Sequence, residues 1–126
     1  MNGLYELYAA RSRMQYAMTV LREAVLTAYE TYYPELPDST EVLAVATLLG
    51  HLSLLSNNIN GLRPGPHQAV PPSVVTSVAQ FVNQLYQTLG IGEDEFYLGD
   101  LEINDVRMLE PLFLVANLSV CSLQVF

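Results

Sequence analysis

Residues 4–33 read LYELYAARSRMQYAMTVLREAVLTAYETYY, a run without glycine or proline. Apolar residues recur in it at steps of three and four: Leu4, Leu7, Met14, Met18, Leu21, Val25, Ala28 and Tyr32, with Arg11 as the one polar interruption. That spacing puts them on one face of a single helix of about 29 residues, with a heptad-like seam. Pro34 and Pro37 follow and end it, because proline lacks an amide hydrogen and its ring clashes with the preceding turn.

Working outward, Asp38-Ser39-Thr40-Glu41 places an aspartate before an apolar run and a glutamate three residues on, a capping-box variant that opens a second helix. This helix is apolar around most of its circumference. Thr47, Gly50, His51, Asn57 and Asn58 form only a narrow polar strip, so it is expected to be the central helix, closed by Asn60-Gly61. Residues 61–72 hold Pro64, Pro66, Pro71 and Pro72, too many prolines for helix, and read as a stiff connector. A third helix is expected over residues 73–89, with Val75, Val78, Val82, Leu85 and Leu89 on one face and Gly90 as its stop.

Residues 91–103 read either as a small hairpin around Gly99-Asp100 or as a loop with one helical turn. Proline costs a helix interior about 3 kcal/mol. Pro111 is therefore expected to open a new helix, after a short turn ending near Glu110. The fold class is thus all-α: one domain over residues 1–126, a four-helix up-and-down bundle with a long first helix and an irregular acidic segment before the last. At 1.5 Å per residue the first helix is about 44 Å long, against roughly 36 Å for the diameter of a compact domain of this size. Part of it is expected to project or to pack on another chain.

Composition restricts the chemistry. Charged residues make up 14 % of the 126 residues, against roughly 25 % in average soluble domains. All five cations are arginine, which excludes a Schiff-base lysine and a P-loop lysine. A formal charge of −8 argues against direct nucleic-acid binding, which needs cation clusters to release phosphate counterions. Cys121 is the only cysteine, so no intrachain disulfide forms. The N-terminus lacks the basic start and apolar core of a signal peptide. The uncharged stretches 42–62 and 64–92 are broken by Gly, Asn, His or Pro and do not read as membrane spans. The expectation is an intracellular soluble or virion protein, without membrane or secretory targeting.

Two features point to partners. Glu93, Asp94, Glu95, Asp100, Glu102, Asp105 and Glu110 concentrate acid between residues 93 and 110, in no register that matches an EF-hand. They read as a solvated loop or as a docking surface for a basic partner or another copy. Arg11, Arg13 and Arg22 lie on the first helix, each without an Asp or Glu three or four residues away. Arg11, on the seam, is expected to take a carboxylate partner. Six of the eight tyrosines are also on this helix, and Tyr5, Tyr8 and Tyr16 join the arginines as candidate contact residues, since tyrosine combines a large apolar ring with a polar tip. His51 reads as a histidine satisfied by a carbonyl, and Cys121 as a buried, inert thiol.

No catalytic, cofactor-binding or metal-binding set emerges. The leading expectation is a non-enzymatic structural or adaptor protein that self-associates or docks on neighbouring subunits, with the first helix and the uncharged residues 111–126 as contact surfaces. A component of a large assembly, such as a phage head-tail connector ring, is the class these features suit. The alternative is a small acidic inhibitor or nucleic-acid mimic that occupies a basic groove of a partner protein.

Overall fold

The seam of the first helix becomes the spine of the fold. A computed structural model describes residues 3–32, 39–62, 69–92 and 101–124. In it α1 spans Leu4–Tyr32, α2 Ser39–Asn60, α3 Pro72–Leu89 and α4 Ile103–Cys121, followed by a 3₁₀ turn at Ser122–Gln124. The expected all-α four-helix bundle is the architecture found. Asp38 and residues 93–100, read as a hairpin around Gly99-Asp100 or as a loop with one helical turn, lie outside the described residues.

Helix α1 buries Leu4, Leu7, Met14, Met18, Leu21 and Ala28 as its seam requires. Burial continues through Ala28, so the helix stays packed on its own chain well past its midpoint instead of projecting free. A second row, Ala10, Ala17 and Ala24, is also buried. Spaced by seven, these methyl side chains leave room for a neighbouring helix to come close. Gly3 serves the same end where α1 begins: its φ is +81°, and a Cβ there would lie 3.0 Å from both Val70 Cβ and Val75 Cγ2. Helix α3 starts one residue earlier than expected, with Pro71 before it and Pro72 as its first residue, and ends as expected on Gly90, in the left-handed conformation.

Contacts fix helix direction. Tyr8 reaches Leu62 and Arg11 reaches Ser56, so α1 and α2 are antiparallel. Gly3 lies by Val75 and Arg13 by Tyr86, so α1 and α3 are parallel. His51 stacks on Phe113 and Asn58 bonds Asn117, so α2 and α4 are parallel too. Helix direction therefore alternates along the chain, as in an up-and-down bundle. The order around the bundle is nevertheless α1, α2, α4, α3, with α2 and α3 on one diagonal. The end of α2 and the start of α3 thus lie at opposite corners of the bundle.

Two expectations are corrected. Helix α2 is not central: like each of the others it packs on two neighbours, here α1 and α4. It buries Val45, Leu48, Leu52, Leu55 and Ile59 but exposes Leu43, Ala46, Gly50 and Leu54. Four helices of this length cannot surround one of their own number. Gly50 sits in the middle of α2 at a cost of about 1 kcal/mol relative to alanine. Nor does Pro111 begin a new helix; it lies inside a continuous α4. Val106, Leu109, Phe113, Ala116 and Val120 keep one helical face across the proline, and burying that face outweighs one lost backbone hydrogen bond. Pro111 and Arg107 are both exposed, so the proline sits on the outer side of the helix, where losing one backbone hydrogen bond costs least.

Candidate interaction surface

The side of α1 that meets α3 is knitted by polar contacts. Arg13 Nη1 donates to Asn83 Oδ1 at 3.0 Å, and its guanidinium carbon lies 4.4 Å from the centre of the Tyr86 ring. Tyr86 returns a hydrogen bond from its hydroxyl to the Arg13 carbonyl at 3.0 Å. Cation, ring and carbonyl form a closed pair between parallel helices. One atom on α1 escapes this accounting: Glu6 Oε2 is buried without a hydrogen-bond partner.

On the α2 side, Tyr8 donates its hydroxyl to the Leu62 carbonyl at 3.3 Å. Arg11 Nε donates to the Ser56 carbonyl at 3.2 Å, so a main-chain oxygen stands where a carboxylate was expected. Helix α2 supplies no acid beyond its first turn, and the arginine takes the nearest strong acceptor instead. Arg11, Arg13 and Tyr8 thus each bond within the bundle, Arg13 and Tyr8 from exposed positions. Tyr5 and Tyr16 are exposed, Tyr5 by 74 %. Arg22 is exposed beside an open polar groove of about 270 Å³ lined with Thr19, Ser53 and Asn57. Glu102 is exposed at the start of α4 and makes no side-chain cap. Glu93, Asp94, Glu95 and Asp100 lie outside the described residues. Among the described residues the arginines of α1 and the acids of the chain form no ion pair.

Sequence reasoning singled out residues 111–126 without saying which side chains face outward. In α4, Met108, Leu114, Val115 and Leu118 are 50 to 66 % exposed, and Pro111 lies among them on the same face. Their spacing of three and four residues makes them one stripe. Helix α2 adds Leu43 and Leu54, with Ala46 and Gly50 between, an exposed face that the reading of α2 as central missed. The two stripes are adjacent, because α2 and α4 pack side by side and in the same direction. Leu114 falls between Glu110, which lines the α2/α4 groove, and Asn117, which bonds α2. A signal was present: an apolar circumference wider than two neighbours can cover.

Between these helices lies a shallow groove of about 230 Å³ that includes Thr47, His51, Arg107 and Glu110. His51 stacks on Phe113 at 4.4 Å and 9°, in place of the expected bond to a carbonyl. Phe113 in turn meets Phe81 edge-on at 5.9 Å. Cys121 is half-buried and accepts a hydrogen bond from Asn58 Nδ2 at 3.4 Å, while the same nitrogen donates to Asn117 Oδ1 at 2.7 Å. This small polar set fixes the register of α2 against α4. Among the described residues no group of three or more His, Cys, Asp or Glu could hold a metal ion.

Fold and surface together define a four-helix bundle whose α2/α4 side is largely apolar, with Arg107 and Glu110 in the groove between the two helices. Compared with known proteins, the chain matches no family model, no curated protein and no solved structure. Helix α2 is long and apolar enough to cross a membrane, over Val42–Asn60 at mean hydropathy 1.5, with 33 % of that stretch buried inside the bundle.

Proposed function

We propose that this is a non-enzymatic structural or adaptor protein that works by packing helices against copies of itself or against neighbouring subunits of a larger assembly. Rings of the phage head-tail connector kind are one such assembly. The observation that carries this reading is the exposed stripe of α4, Met108, Pro111, Leu114, Val115 and Leu118, bordered toward α2 by Arg107 and Glu110. Contiguous apolar surface of this kind costs a free monomer solubility and is ordinarily retained for contact with a partner. The exposed Tyr5 and Tyr16 on α1 offer a second contact region on the opposite corner of the bundle.

Sedimentation equilibrium of the purified chain from low to high micromolar tests the proposal. A mass that rises with concentration to a defined multiple of 14.0 kDa is expected. A strict monomer throughout, together with failure to join any subunit encoded beside it, would refute the reading.

A further inference from the structure

Ser56, 4 % exposed, is the only buried polar residue among the described ones. Its carbonyl accepts a hydrogen bond from Arg11, but its hydroxyl has no partner among the described residues. That departs from the habit of this bundle: Ser12, Thr19, Thr47, Ser77 and Ser119 each donate to the carbonyl four residues back. Burying a hydroxyl without a partner is costly, so the space it faces decides what the residue is for. That space is the polar groove between α1 and α2, of about 270 Å³, which Ser56 lines together with Gln15, Thr19, Arg22, Ser53 and Asn57.

No acid lines this groove. Arg22 has Met18, Thr19, Val25 and Leu26 three and four residues away, so its own helix leaves the guanidinium unneutralised, and it makes no ion pair or hydrogen bond among the described residues. Gln15, Ser53 and Asn57 likewise make no side-chain hydrogen bond among them. Thr19 donates its proton to the Gln15 carbonyl and presents only an acceptor. Unsatisfied donors, one of them fully charged, therefore share one recess. We propose that the groove binds the carboxylate of a small polar ligand, with Arg22 as its counter-charge and the Ser56 hydroxyl as the buried donor. A planar carboxylate matches the guanidinium fork. One guanidinium balances one negative charge, and on a chain of net −8 a second ligand charge goes uncompensated, which selects a monoanion over a phosphate dianion. Met18 is the one apolar residue in the lining, which suits a short hydroxy acid better than a fatty acid. This site is independent of the self-association reading above.

The test follows backbone and arginine side-chain NMR of the isotope-labelled full chain as sodium lactate is added, against sodium chloride at matched ionic strength and against inorganic phosphate. Saturable shifts at Ser53, Ser56, Asn57 and the Arg22 Nε, in the millimolar range and absent with chloride, are expected. Arg22→Gln and Ser56→Ala are each expected to weaken lactate binding about tenfold or more, with thermal unfolding of each followed by circular dichroism. Arg22 is exposed, so its variant keeps the test valid should Ser56→Ala fail to fold. Shifts that do not saturate, that chloride reproduces, or that survive both variants overturn the site. Phosphate binding as strong as that of lactate overturns the choice of a monoanion. Shifts that grow with protein concentration in the absence of lactate, and vanish when Glu102→Gln and Asp105→Asn are combined, assign the groove to acidic side chains of a second copy and overturn the free ligand.

Discussion

The two long sides of the bundle use the same helical scaffold in opposite ways. Along α1 and α3, Arg13, Tyr86 and Asn83 satisfy one another across the seam, and buried alanines bring the helices close. Along α2 and α4, Asn58, Asn117 and Cys121 bond at the joint, Arg107 and Glu110 line the groove beside it, and the outward faces expose Leu43, Leu54, Leu114 and Leu118. The first side pairs its polar groups within one chain, although α1 also exposes Tyr5, Tyr16, Leu26 and Tyr29. The second has more apolar surface than two neighbouring helices can cover. Low overall charge thus has a location, and the location is a surface.

The largest effect falls on the residue that ties the two sides together. Phe113 is buried, stacked on His51 of α2 and edge-on to Phe81 of α3. Phe113→Ala is expected to lower stability by about 3–5 kcal/mol in urea unfolding, with both sides losing protection from amide exchange together. If only one side loosens, the bundle is two weakly coupled halves. Pro111→Ala comes next, restoring the hydrogen bond to Arg107. It is expected to raise stability by about 1–3 kcal/mol, because the helix is already continuous there. A loss would mean that α4 depends on the proline's shape.

Smaller effects sharpen the contrast. Glu6→Leu removes the buried, unpartnered Oε2 and is expected to raise stability by about 1 kcal/mol without changing association. In a double-mutant cycle, Arg13→Ala and Tyr86→Leu should couple by only about 0.5–1 kcal/mol, since the pair is near solvent, and should leave association alone. Leu118→Gln is the smallest for folding, within about 0.5 kcal/mol, and reduces self-association. If Arg13→Ala disrupts association and Leu118→Gln does not, the roles of the two sides are reversed.

Periodicity made much of this fold readable. The seam of α1 and the proline and glycine that bound α3 are local signals, written within a few turns of the residues they govern. Pro111 misled because a local cost of one hydrogen bond competes with burial of five residues on both sides of it, and only the packed structure decides between them. Helix α2 misled for a related reason: an apolar circumference reports how much surface needs cover, not whether one chain supplies it. Arg11 and Arg13 find acceptors 45 and 70 residues away, a distance at which sequence spacing carries no information. The uncharged C-terminal run was legible as a contact candidate, whereas its companion stripe on α2 emerged only once α2 was placed at a corner.

Carbene footprinting of the wild type at low and high concentration reads the surface of every helix in one experiment. Protection that grows with concentration at Leu54, Met108, Leu114 and Leu118, and exceeds any at Tyr5 and Tyr16, is the predicted result. Protection confined to Tyr5, Tyr16 and Leu26 of α1, or labelling that does not change anywhere, would contradict the assignment of the α2/α4 side as the contact surface.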